Sequence, residues 1–291
     1  MSAEPPTFDL QSHSLHSDGA LEAGDVVANA ERAGVQLLAL SDHDTVDGVQ
    51  TAVDAAGELG LRVVPAVEIS SVDRNKQDLH VLGYLVDHHD AVLRERLAAW
   101  REDRERRAEA MAEALRSLGY ELDDSEIVQR REQGKPIGRP HIADAVVRHP
   151  GNAQRLQAEG LGERSAFLEA YLIDGKPGFR PRTTPTIAES IEAIHDAGGV
   201  AVWAHPFWDI SDPPEVLEAI DRFRGWGLDG VEVFYATHTR EQTELLADRC
   251  AELGLLTTGS SDFHGPAHKL FSRFRAFSTY GREPVLGPIA G

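Results

Sequence analysis

Alternation of strand-like and helical segments at both ends of the chain restricts its fold more than any other feature. Apolar, strand-like runs occur at Phe8–Ser12, Val35–Leu40, Arg62–Ile69 and Leu79–Val86. Helical periodicity fills the first two gaps, at about Ala23–Ala33 and Val46–Leu59, the latter with apolar residues at Val49, Val53, Ala56 and Leu59. Gly34 and Gly60 stand where helices commonly stop. A strand that returns parallel to its neighbour needs a crossover long enough to hold a helix, so this β-α-β-α-β order predicts a parallel sheet. From His88 to about Arg182 the text is helical and charged, with loops expected at Gly134–Pro140 and His149–Asn152 and no strand. The rhythm resumes with helix Ile187–Ala197, strand Val200–Ala204, helix Pro214–Trp226, strand Gly230–Tyr235, helix Arg240–Leu253 and strand Leu255–Ser260. The expected plan is one α/β domain formed by residues 7–87 and 183–280, interrupted by a small helical domain at 88–182, with Met1–Pro6 and the tail after Tyr280 as loose ends.

Polar clusters punctuate these strands. They read DLQSHSLHSDG (Asp9–Gly19), SDHD (Ser41–Asp44), VEIS (Val67–Ser70), DLHVLGY (Asp78–Tyr84), WAHP (Trp203–Pro206) and GSSDFHG (Gly259–Gly265). Any one His or carboxylate on a loop is usually solvated. Six clusters on successive elements favour a barrel, where strand ends collect the reacting groups at one mouth. Composition agrees, with 13 His but a single Cys. That excludes a disulfide framework and a thiolate metal site, and leaves imidazole and carboxylate, which suit divalent Mn, Fe, Zn or Mg. A formal net charge of -19 excludes binding through a broad basic surface, so no duplex nucleic acid partner is expected. An opening without a basic start or apolar stretch, and the absence of any run of about 18 apolar residues, predict a cytoplasmic protein with no membrane partner.

These motifs resemble the PHP (polymerase and histidinol phosphatase) family, and specifically its small stand-alone phosphoesterases. The likeness extends to GRPHIA (Gly138–Ala143) and YLIDGKPGF (Tyr171–Phe179) in the helical segment. It implies a distorted (β/α)7 TIM-like barrel holding two to three divalent ions. By position it implies a first metal site from His13, Glu68 and Asp262, a second from Glu68, His80 and His205, and a third from Asp18, His43 and His264, with Glu68 shared. Where the family usually begins Asp-Leu-His-x-His, this chain has Gln11. An amide oxygen binds late transition metals more weakly than imidazole, so Gln11 implies a weaker or Mn- or Mg-selective first site. His16 lies near enough in sequence to compensate, or it meets water.

The implied chemistry is attack on phosphorus by a hydroxide bridging the first two ions, with Glu68, Asp18 and His264 as the catalytic metal-holding groups. Arg139 and His141 are expected to grip phosphate, followed by Lys176, His238 and, more weakly, Arg180. The expected substrate is a small phosphorylated metabolite, foremost a nucleoside 3',5'-bisphosphate. Phosphodiester hydrolysis of cyclic phosphates or short oligonucleotides is the alternative, and a non-catalytic metal-binding scaffold is the reading from a different class. Amide hydrolysis ranks low because the barrel lysine that would support it is absent. His195, near a helix C-terminus, and Cys250, on an inner helix face, read as structural. No glycine cluster opens a helix after a strand, so a phosphate-cradling loop is not expected.

Overall fold

The computed structural model describes residues 6–74, 76–132, 135 and 137–291. Met1–Pro5, and Gly134 and Pro136 of the expected Gly134–Pro140 loop, lie outside them. The chain packs as two units, one of residues up to Ala98 with Pro185–Gly291 and one of Ala99–Thr184.

In the first unit seven strands form one sheet in sequence order: β1 (Phe8–Asp9), β2 (Leu37–Leu40), β3 (Arg62–Asp73), β4 (Lys76–Tyr84), β5 (Val200–Trp203), β6 (Gly230–Tyr235) and β7 (Leu256–Ser260). The sheet closes on itself because the residues after β1 bond to the end of β7 and the residues after it. Leu10 N–H donates to the Gly259 carbonyl at 3.2 Å, and His13 N–H to that of Phe263 at 2.8 Å. Strand β1 is shorter than the apolar run suggests. At its end the Asp9 carboxylate accepts bonds from the Ser261 backbone and hydroxyl, at 2.9 and 2.6 Å, adding side-chain capture where the ladder stops.

Helices α1 (Ala23–Arg32) and α2 (Val49–Leu59) make the crossovers between β1, β2 and β3, which pair in parallel. Val26, Val27 and Ala30 of α1 and Ala52 and Ala56 of α2 meet Leu38 and Leu40 in a closed apolar layer. Gly60, at φ 70°, ends α2 in the left-handed conformation. Parallel order then breaks. Strand β4 runs antiparallel to both β3 and β5, with Ser70 opposite His80 and Leu82 opposite Val202. Only residues 74 and 75 separate β3 from β4, too few for a helix, and this hairpin is the distortion in the barrel. The remaining strands return to parallel pairing.

In the second unit, the C-terminal part of α3 (Ala91–Ser117) packs with α4 (Ser125–Glu132), α5 (Arg139–Arg148), α6 (Ala153–Glu159) and α7 (Arg164–Tyr171). Met111, Leu115, Ile142, Val146, Leu156 and Phe167 form its core. Helices α8 (Ile187–Asp196), α9 (Pro206–Asp209), α10 (Pro213–Arg224) and α11 (Arg240–Leu253) belong to the barrel unit. Thr186 and Thr239 cap α8 and α11 through reciprocal bonds with Glu189 and Gln242. Among the described residues no helix is long and apolar enough to cross a membrane.

Candidate metal centre

Closure of the barrel brings the strand-end clusters to one mouth, with Glu68 at their centre. Period-two geometry turns Glu68 of β3 inward, and the antiparallel register sets His80 of β4 diagonally across from it. The Glu68 carboxylate, fully buried, lies 2.8 Å from His80 Nδ1, 3.2 Å from His205 Nε2, 3.1 Å from His13 Nε2 and 3.7 Å from His43 Nδ1. Asp262 Oδ1 is 3.1 Å from His13 Nε2. Asp18 approaches His13, His43 and His264 at 3.5, 3.6 and 3.4 Å. The imidazoles form a continuous run, His264–His13–His43–His80–His205, with ring centroids 4.3 to 5.2 Å apart.

Three overlapping groups place ligand atoms close enough to share one ion: His13, Asp18, His43 and His264; His43, Glu68 and His80; and His13, Glu68 and Asp262. His13 and His43 therefore each face two groups, a sharing that sequence position alone did not indicate. Every ion-pair partner of Asp18, Glu68 and Asp262 among the described residues is a histidine. Glu68 and Asp262 are buried, whereas Asp18 lies at the exposed rim; the two buried carboxylates need compensating positive charge, and imidazoles supply it only as protons or through a cation. Buried nitrogens of His43 and His205 (Nδ1 in each) have no hydrogen-bond partner. The donor set, nitrogen and oxygen without thiolate, fits divalent cations.

Electrostatics point the same way. For His13, burial opposes the charged ring, but bonds to Asp262 and Glu68 and the nearby Asp18 charge prevail and hold its pKa well above the usual value. The same contest, won by Glu68, raises His205 to about 9. His43 goes the other way because burial dominates. Burial also opposes ionisation of Glu68 and Asp18, yet the surrounding histidines hold both carboxyl groups well below their usual range.

The supporting shell contains residues that motif reading passed over. Asp42 accepts from Ser14 N–H, Ser14 Oγ and Ser17 Oγ at 2.6–2.7 Å, pinning the loop that carries His13 and Asp18. Asp44 accepts from Ser70 N–H at 2.9 Å. Glu232 of β6, fully buried, accepts from His205 N–H at 3.0 Å and Ser260 Oγ at 2.6 Å; burial pushes its pKa up to about 8. Tyr235 donates its hydroxyl to Asp262 Oδ2 at 2.7 Å. These bonds hold backbone that non-glycine residues rarely adopt, since His205 has φ 29° and Asp262 has φ 55°. Glu232 was detectable as the one acid between Val231 and Val233 in an apolar strand.

Gln11 is buried in the cluster, but its amide nitrogen donates to Glu68 Oε2 at 2.9 Å and its oxygen accepts from Ser260 Oγ at 3.2 Å. In this arrangement it braces Glu68 with a donor. His16 is exposed beside Gly48 and belongs to none of the three groups. His238 is buried with Nδ1 on the Val233 carbonyl at 3.0 Å; burial pushes its pKa down to about 4, and it too stands outside the groups. His195 pairs with Asp229 at 2.8 Å at the end of α8. In the helical unit, Arg139 opens α5 and His141 accepts Gly138 N–H on Nδ1 at 3.0 Å, which leaves its proton on Nε2. Lys176 is exposed, and Arg180 Nη1 bonds the Pro177 and Phe179 carbonyls at 3.1 and 2.8 Å.

Comparison with known proteins identifies this arrangement. A PHP domain model matches residues 9–124. A 5'-3' exoribonuclease of Haemophilus influenzae is 32% identical over 89% of this chain and 90% of its own length. The chain belongs to the PHP family. A 3',5'-nucleoside bisphosphate phosphatase of Chromobacterium violaceum is 29% identical over 89% of this chain and 87% of its own. A Bifidobacterium adolescentis structure described as a candidate metal-dependent phosphoesterase superimposes with a TM-score of 0.71 at 31% identity, covering 92% of this chain and 91% of that one. The closed, distorted α/β barrel is thus the PHP fold, and the histidine-lined mouth is where its polar strand ends converge.

Proposed function

We propose that this protein is a metal-dependent phosphoesterase that removes a phosphate from a small phosphorylated metabolite, foremost a nucleoside 3',5'-bisphosphate. The observation that carries the reading is Glu68, a fully buried carboxylate within 3.7 Å of four imidazoles. Relatives that act on nucleoside bisphosphates and on RNA support the ester class. Exonucleolytic cleavage of short oligonucleotides is the second reading, favoured by the Haemophilus influenzae relative. Bound by these residues, two to three divalent ions would supply Lewis-acid neutralisation of the phosphoryl charge and activation of a water nucleophile.

The protein's own part is to hold that charge in place. We assign His13, Glu68 and Asp262 to one ion and Asp18, His43 and His264 to another, each set lying within one of the close groups. We assign Glu68, His80 and His205 to a further ion from the 2.8 and 3.2 Å approaches of the two rings to Glu68, although the close group there pairs Glu68 and His80 with His43. Gln11 orients Glu68 through its amide, and Glu232 and Tyr235 orient His205 and Asp262. Arg139, whose fork matches two phosphate oxygens, and His141, with a proton on Nε2, are assigned to the substrate phosphate, with Lys176 in a lesser role. His238 lies with Nε2 unpaired beside Tyr235, and is assigned to the mouth as a neutral substrate-facing group.

The test is phosphate release from nucleoside bisphosphates, nucleotides, cyclic phosphates and short RNA with added Mn, followed by Glu68→Gln. The expected result is turnover of at least one class and a loss of at least about a hundredfold in Glu68→Gln, since losing even a group that only supports a metal ligand typically costs about ten- to a hundredfold in metal affinity or activity and Glu68 is assigned as a shared ligand. A metal-loaded protein that cleaves none of them would leave only the scaffold reading.

A further inference from the structure

Beside the ligand cluster lie three rings that the assignments above do not use, those of Trp208, Phe271 and His268. Trp208 sits on α9, three residues after His205, and its N–H donates to the His205 carbonyl at 2.8 Å. Trp203, on the same segment, is fully buried, whereas Trp208 is 49% exposed. The exposed indole is not isolated. Its ring centroid lies 5.6 Å from Phe271 and 6.4 Å from Tyr235.

Both neighbours are tied to the ligand cluster. The Tyr235 ring is 5.2 Å from His205 and its hydroxyl bonds Asp262. The Phe271 ring is 5.6 Å from His264, and its carbonyl accepts His264 N–H at 2.9 Å. His268, exposed, stacks on Phe271 at 5.2 Å with an 8° interplanar angle. Its Nδ1 accepts Phe271 N–H at 2.9 Å, which fixes the ring. The outcome is a cluster of inclined rings, with Trp208 at 57° to Phe271 and 78° to Tyr235, that runs from His205 and His264 out to the exposed Trp208 indole.

Single exposed apolar residues are ordinary on soluble proteins. This one differs in having two ring neighbours, Phe271 and Tyr235, that themselves pack on the ligand residues His264 and His205. An aromatic plane one ring layer from a phosphate-handling centre suits a substrate whose own plane lies one sugar away from its phosphorus. We propose that Trp208, backed by Phe271, is a nucleobase-stacking surface, so that the substrates are phosphorylated nucleosides or oligonucleotide ends in preference to sugar or polyol phosphates. The proposal rests on the phosphoesterase reading above. Base–aromatic stacking is sequence-tolerant and typically changes affinity by about tenfold to a hundredfold on alanine substitution.

The experiment titrates the protein, with and without added Mn, with adenosine 5'-phosphate and separately with ribose 5-phosphate, reading intrinsic tryptophan fluorescence. Adenosine 5'-phosphate is expected to quench the wild type, and Trp208→Ala to abolish most of that quenching. Steady-state kinetics of the Mn-loaded enzyme should show Trp208→Ala raising KM for nucleotides about tenfold to a hundredfold, with an effect on ribose 5-phosphate at least about fivefold smaller. Trp208→Phe, which keeps a ring, should recover most of the nucleotide KM. Equal KM effects on both substrates, or equal affinity of the wild type for both ligands, would overturn the proposal while leaving ester hydrolysis intact. Quenching by adenosine 5'-phosphate that depends on Trp208, in a protein that hydrolyses no phosphate ester, would uphold the stacking surface and overturn the catalytic reading instead.

Discussion

Gln11 donates its side-chain amide to Glu68 Oε2 across 2.9 Å, inside the ring of histidines that surrounds that carboxylate. The contact ties the departure from the family's usual Asp-Leu-His-x-His text to the central acid of the site. Removing the amide in Gln11→Leu would take one charge-assisted donor from Glu68 Oε2, which keeps His13 at 3.1 Å, while Ser260 keeps its 2.6 Å bond to Glu232, so the cost is that of the one lost bond to a charged group, about 1–3 kcal/mol. Gln11→His would instead offer an imidazole to the first ion. The expected outcome is tighter metal retention in Gln11→His and weaker retention in Gln11→Leu, by about ten- to a hundredfold, measured as bound ion after dialysis against graded chelator.

Metal binding should release protons. His13 is held protonated well above the usual range, and His205 up to about 9, by the carboxylates around them. At neutral pH, ions would enter by displacing those protons, so affinity should rise with pH toward about 9. Calorimetric titration of Mn in buffers of different ionisation enthalpy checks this, and heats that are independent of buffer would contradict it.

The same shifts set the stability of the protein stripped of metal. A histidine whose folded pKa is raised contributes stability that is fully present below pH 6.5 and is lost as pH climbs through the folded value, about 9 for His205. Glu232, raised from 4.5 to about 8 by burial, acts in the same direction. In chelator, the urea midpoint should therefore fall between pH 6.5 and 9, and added metal should flatten that fall.

His238 has the opposite sign. Burial lowers its pKa from 6.5 to about 4, so the unfolded chain binds its proton more readily and stability is lost as pH drops from 6.5 toward 4. The loss attributable to this ring is at most about 3 kcal/mol. Comparison of wild type with His238→Gln at pH 7 and pH 5 isolates it, since the variant should lose less stability between the two values.

Arg139 tests the phosphate assignment. Charge-assisted bonds from a guanidinium are worth about 1.5–3 kcal/mol, so Arg139→Ala should raise KM or lower kcat/KM about ten- to a hundredfold. Arg139→Lys should restore only part of it, because an ammonium lacks the two-pronged donor geometry. Equal rescue by lysine in the kinetics would point to a simple charge effect.

Several levels of the structure were legible in the text. Strand β6 and helix α11 fall at Gly230–Tyr235 and Arg240–Leu253, where local periodicity places them. The clusters containing His13, His43, Glu68, His205 and His264 stood out because each interrupts an apolar run with groups that seek water or a cation. The direction of β4 was not legible, because an apolar strand looks the same whichever neighbour it pairs with. Glu232 was passed over because a single acid in a strand carries no spacing signal. Gln11 was visible as a departure, but the orientation of its amide depends on Ser260, which is 249 residues away in sequence.

The amino-acid sequence by itself determined the residue chemistry of the site, imidazole and carboxylate without thiol, and the alternating pattern that predicts an α/β sheet around it, because both are local properties of side chains and their period. Only the tertiary structure decided which of those groups share a neighbour. Barrel closure sets Gln11 against Ser260 and Glu68, the β3–β4 hairpin turns His80 toward Glu68, and positive-φ backbone at His205 and Asp262 aims both side chains inward. These are relations between residues far apart in the chain, fixed by hydrogen-bond register and buried charge rather than by any local pattern.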